Sequence, residues 1–123
     1  MNYNTFAEKV TGLDDSIAGA MIVRLGDLLG SYARPKVPIP QKEKFTKMFL
    51  QAQMMLSIPQ TNQDVFGKVE VVIVRHSILH IYMISLPNKA TLAFAARADA
   101  EYDYKKLLDG VLKLIRSTKF DSE

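Results

Sequence analysis

Hydrophobic positions along this chain keep two rhythms, one helical and one strand-like, and the switches between them mark the elements. Near the start, Phe6, Val10 and Leu13 fall on one helical face behind Thr5-Phe6-Ala7-Glu8, a Ser/Thr-x-x-Glu arrangement whose side chains satisfy orphan backbone donors at a helix start. A short amphipathic helix ending near Gly12 is expected. From Ile17 to Arg24 the run is almost wholly apolar, and Leu25-Gly26-Asp27-Leu28 supplies a Gly-Asp pair suited to a tight turn, with Leu28 to Tyr32 as the return strand. Leu13, Ile17 and Met21 also stand four apart, so a first helix continued through Ala20 competes with this hairpin.

Arg34 to Pro40 holds Pro35, Pro38 and Pro40, which fix φ and withhold backbone donors. The segment reads as an extended polyproline-like spacer. Gln41 to Ile58 is the strongest helix, with Phe45, Met48, Phe49, Ala52, Met55 and Leu56 on one apolar stripe. Leu50, Met54 and Ile58 form a second, narrower strip on the opposite side. Either the loop Pro59 to Phe66 folds back over that strip, or its residues are singly exposed, or another subunit covers them.

Lys68 to Ala98 contains three consecutive β-rich runs with almost no polar face, joined by Arg75-His76-Ser77 and Pro87-Asn88-Lys89. A sheet bare to water on one side alternates apolar and polar residues, so runs apolar at both parities mean that layers cover both faces. Short connections make the three an antiparallel meander. Asp99 or Asp103 caps a last helix in which Tyr104, Leu107, Leu108, Val111, Leu114 and Ile115 share a face, with Lys113, Arg116 and Lys119 toward the end that favours cations. This helix should lie on the sheet.

A chain of 123 residues is expected to form one domain over 1–123, large enough for a core without disulfides or metal. The absence of cysteine excludes a disulfide framework, thiolate metal sites and thiol catalysis, and fits a reducing compartment. The sequence shows neither a signal-like start nor an apolar run of about 18 residues, so a cytoplasmic, membrane-free setting is expected. The net charge of +3 comes from 16 basic and 13 acidic residues scattered along the chain, not from the concentrated stripe of a nucleic-acid binder.

Catalytic chemistry is thin. His76 and His80 stand four apart, a metal-ligand spacing on a helix, but on a strand that spacing separates them by about 13 Å. Ser77, His80 and Asp64 lack a nucleophile elbow or oxyanion loop. No phosphate-binding glycine loop, dinucleotide fingerprint or calcium loop occurs, so no cofactor is expected. Tyr82, Tyr102 and Tyr104 beside Lys105, Lys106 and Arg97 could stack single-stranded nucleic acid, or serve as ordinary sheet and helix aromatics beside solvated charges.

The order helix, hairpin, helix, three-stranded meander, helix resembles the Roadblock family of dynein light chains and GTPase regulators. The residues that carry the likeness are Asp15-Ser16-Ile17-Ala18-Gly19-Ala20-Met21-Ile22-Val23-Arg24-Leu25-Gly26-Asp27-Leu28-Leu29-Gly30 and the Val69 to Arg97 meander. The resemblance implies an α+β, profilin-like, three-layer α/β/α sandwich with a five-stranded antiparallel sheet in the order α-β-β-α-β-β-β-α. It also implies a homodimer in which the third strand pairs with its twin and the middle helices pack antiparallel, docking a small Ras-like GTPase or another subunit. An unpaired edge reading Val-Glu-Val-Val-Ile-Val-Arg would itself invite pairing.

The expected product is a non-enzymatic scaffold or regulatory binding module with no catalytic, cofactor or metal residue. Its interface residues would be Phe45, Leu50, Met54, Ile58, Val69, Val71 and Ile73. The alternative is a small-ligand sensor of a related profilin-like fold, for which His80, Tyr82 and Glu70 are the polar groups that could converge on a pocket.

Overall fold

The computed structural model describes residues 2–38 and 41–120. Helix α1 (Tyr3–Thr11) begins two residues before the Thr5 cap proposed from the sequence, because Asn2 takes the role. Its Oδ1 accepts from the Asn4 amide at 2.7 Å and the Thr5 amide at 3.3 Å, which a short side chain does as well as threonine. Gly12 caps the other end.

Ile17 to Arg24 is a strand, β1, and not a continuation of α1. It turns into β2 (Asp27–Ala33) through Leu25 and Gly26, both with positive φ, +52° and +84°. Two such residues in a row are what a tight primed hairpin turn requires. A bulge between Ile22 and Val23 shifts the register, so that Ile22 faces Gly30 while Val23 faces Leu28.

The spacer after β2 is not extended. Pro35 and Lys36 form a turn closed by the Val37 amide donating to the Arg34 carbonyl at 3.2 Å, with Lys36 at φ +70°. Proline fixes φ for the second position of such a turn, which competes with the polyproline conformation. The connector's end, Pro40 included, lies outside the described residues.

Helix α2 (Lys42–Gln60) runs through Pro59, and a four-residue helix α3 (Gln63–Phe66) follows where a loop was expected. Strands β3 (Val72–Arg75), β4 (Leu79–Ser85) and β5 (Thr91–Arg97) form the meander. Helix α4 (Tyr104–Ser117) is capped by Asp103, whose carboxylate accepts from the Lys105 and Lys106 amides.

All five strands pair antiparallel in the order β2-β1-β5-β4-β3, giving the three-layer α/β/α sandwich. On one face, Phe6, Ala7 and Val10 of α1 and Leu107 and Val111 of α4 pack on Ile22, Tyr82, Leu92 and Phe94. On the other, Ala52 and Leu56 of α2 pack on Met83 and Ala93 with Val72, Val74 and Ile81. The two-sided apolar runs are therefore the two interfaces of a covered sheet. Among the described residues no helix is long and apolar enough to cross a membrane.

Candidate assembly surface

The two edges of the sheet end differently. At the β2 edge, α1 lies so close that a Cβ on Gly30 would stand 2.6 Å from the Tyr3 backbone, and the Asn4 side chain accepts from the Ser31 amide at 2.9 Å. That edge is covered by the chain itself, the usual protection against strand addition. The β3 edge has β4 on one side and, among the described residues, no strand on the other.

The outer face of α2, the helix that covers this side of the sheet, is also open. Leu50, Met54 and Ile58 are 49%, 61% and 67% exposed. Between Lys47 and Asp64 the chain carries no charged residue, so this face is bare of the groups that normally keep a helix surface in water. The loop after the helix does not fold back to cover it. Val65 and Phe66 on α3 are themselves 71% and 84% exposed and enlarge the apolar surface. The β1–β2 turn docks on the same helix, with the Gly26 amide donating to Gln53 Oε1 at 3.2 Å and Gly26 beside the Leu50 side chain. This leaves Leu25 and Leu28 bare as well.

The sequence-derived interface residues thus divide. Leu50, Met54 and Ile58 stand on the open helix face, and Ile73 is exposed on β3. Phe45 is half-buried and stacked on Phe49, ring centres 5.5 Å apart. Val69 and Val71 precede the strand, which is shorter than the Val69–Arg75 expected. They are half-buried, Val69 against the cluster beneath α2 and Val71 against the opposite one. Met55, expected in the core stripe, is exposed, and so is Tyr104 of α4. Val65, Phe66, Leu25 and Leu28 were missed, because an apolar pair inside a turn or loop has no periodicity to mark it.

Of the groups proposed for a ligand pocket, His80 and Tyr82 share Tyr102 as a hydrogen-bond partner instead, and Glu70 is exposed. Tyr102 Oη lies 2.7 Å from His80 Nδ1 and 2.9 Å from Tyr82 Oη. Tyr82 is buried and stacked on Phe94 at 4.7 Å. Burial first, and the Tyr102 hydrogen bond second, push the Tyr82 phenol well above its ordinary range. A buried ring cannot offer a stacking face, which removes Tyr82 from the nucleic-acid platform considered above. Open hollows among the described residues include one of about 270 Å³ between Gln53, Gln60, Ser85 and Thr91 and another of about 320 Å³ beside Ile78 and Arg97. Neither is lined by His80, Tyr82 or Glu70. Among the described residues no group of three or more His, Asp or Glu side chains could hold a metal ion.

This covered five-stranded sheet is the Roadblock fold. A Roadblock/LC7 domain from Streptomyces avermitilis matches with a TM-score of 0.73 at 15% identity, over 95% of this chain and 94% of that one. MglC from Myxococcus xanthus matches at 0.60 and 15% identity over 95% and 98%, and an MglB with a tetrameric arrangement at 0.61 and 11% over 91% and 86%. At such identities the likeness is one of fold. No protein-family model matches the chain, and no curated protein matches it in sequence.

Proposed function

We propose that this chain is a non-catalytic binding module, a divergent Roadblock-type domain spanning 1–123, that works as a homodimer joined through α2 and β3. The observations that carry the reading are two: the uncharged, exposed outer face of α2, and the β3 edge, which no strand among the described residues covers. A second copy suits this face better than an unrelated partner. One end of the strip is net basic in sequence, with Lys42, Lys44 and Lys47 around Glu43, and Asp64 lies beyond the other, so antiparallel pairing sets net unlike charges near each other while parallel pairing stacks like ones. The joined surface then docks a protein partner. The family resemblance points to a small Ras-like GTPase in the cytoplasm.

Light scattering on the full chain at micromolar concentration should give twice the monomer mass. Met54→Glu places two unpaired carboxylates in the seam and should yield monomers that keep the wild-type circular dichroism. A wild type that scatters as a monomer refutes the homodimer. Capture experiments with GTP- and GDP-loaded small GTPases test the partner, and equal absence of binding in both states removes that class.

A further inference from the structure

Building on that homodimer, we infer that its two sheets join in one register, with Ile73 of each copy facing its twin across the twofold axis. Three observations select it. The first is which backbone groups of β3 are free to bond outward. The His76 amide donates to the Leu79 carbonyl at 2.9 Å, and the β3–β4 register continues from there through Arg75–His80, Val74–Ile81, Ile73–Tyr82 and Val72–Met83. Antiparallel ladders alternate hydrogen-bonded and non-bonded pairs, so Val74 and Val72 spend their amides and carbonyls on β4. Those of Ile73 and Arg75 point off the sheet.

The second is the face each residue occupies. Val72 and Val74 pack beneath α2, whereas Ile73 lies opposite Tyr82 of the other cluster. A twofold axis normal to the sheet keeps both α2 helices on one side, so residues facing each other across the seam must share a face. Registers that set Val72 against Arg75 of the twin break this rule. The axis must therefore pass through a residue and not between two.

The third is charge. An axis at Arg75 sets two arginines directly opposite, and an axis at Val74 leaves them diagonal neighbours while placing Ile73 against Arg75. An axis at Val72 sets Ile73, Val74 and Arg75 against Val71, Glu70 and Val69, all before the strand begins. An axis at Ile73 keeps the Val72–Val74 pairs within the strand, holds the arginines further apart than an axis at Val74 or Arg75, and covers the exposed isoleucine with its twin. Each outward amide and carbonyl of Ile73 then bonds its counterpart.

The chain has no cysteine, so single substitutions report the register without background. Under mild oxidation Ile73→Cys should cross-link to a disulfide dimer, since facing Cα atoms of a hydrogen-bonded pair stand about 5.5 Å apart, within disulfide reach. Val74→Cys should cross-link several-fold less. Preferential cross-linking of Val74→Cys overturns the register. So does an uncross-linked Ile73→Cys that light scattering still reports as dimeric, and this outcome leaves the homodimer itself standing. If the unmodified chain is monomeric, both ideas fall together. As a second arm, Ile73→Pro removes an amide that β4 does not use, the one kind of strand position that tolerates proline. It should keep the wild-type circular dichroism yet weaken dimerisation tenfold or more. Dimerisation unchanged in a folded Ile73→Pro overturns the register as well.

Discussion

The guanidinium of Arg34 donates through Nη2 to the Thr11 carbonyl at 2.7 Å, tying the first residue after β2 to the last turn of α1. The same nitrogen reaches the Asp14 carbonyl at 3.1 Å, and Nε donates to the Ile17 carbonyl at 2.6 Å. One planar fork thus satisfies three carbonyls where the chain leaves α1 and enters β1. Arg34→Ala should cost about 2 kcal/mol, because charge-assisted bonds to half-buried acceptors are lost and the acceptors are left unmet. The denaturant midpoint should fall with unchanged slope. Arg34→Lys should recover less than half of the loss, since an ammonium cannot reproduce the fork.

Gly30 permits the approach of α1 to β2. A Cβ there would stand 2.6 Å from the Tyr3 carbonyl carbon and 2.7 Å from the Asn4 amide, both backbone atoms that cannot swing aside. Gly30→Ala should therefore destabilise by about 1–3 kcal/mol, even though alanine normally favours strands over glycine. A stability equal to wild type, measured by thermal or chemical unfolding, would contradict the packing described.

The layered sheet was legible in the residues because covering both faces demands apolar side chains at both parities, and few other arrangements tolerate Val69 to Val74 or Ile81 to Leu86. The exposed α2 strip was legible for the same reason: Leu50, Met54 and Ile58 keep a helical period of their own. What escaped depended on local competition. Asn2 and Thr5 are both able caps, and only the backbone decides which is used. Pro35 suits a turn as well as an extended spacer. Tyr104 and Met55 fall at the margins of their stripes, where a few degrees of helix rotation decide exposure. The protection of the β2 edge by Asn4 is a contact between distant segments with no sequence period to announce it.

Tyr82 gives the fold a dependence on alkaline pH. Its folded pKa is raised above the unfolded value of about 10, so the neutral phenol is the form that the core prefers. The associated stability is fully present below pH 10 and is lost as pH rises through and beyond that value. Tyr82→Phe keeps the stack on Phe94 and loses about 1 kcal/mol near neutrality with the hydroxyl's bond to Tyr102. The gap between the two proteins in denaturant midpoint should then narrow above pH 10. A gap constant from pH 8 to pH 11 would show that the phenol does not titrate with unfolding.

The charges that bracket the α2 strip offer a test of helix direction that leaves the apolar seam untouched. Lys44 lies near the start of α2, beside Glu43, and Asp64 on α3 just past its end, so an antiparallel crossing near Met54 sets the Lys44 end of one helix by the Asp64 end of the other. Both are exposed in the single chain, and reversing either costs the fold little. Lys44→Glu and Asp64→Lys should each weaken dimerisation two- to fivefold at low salt, the range expected of exposed ion pairs. The double variant should restore the wild-type affinity, because reversal on both sides recreates attraction. High salt should erase all of these differences by screening. A double variant no better than its worse parent, measured by analytical ultracentrifugation, would rule out the antiparallel crossing and favour one in which the like ends meet.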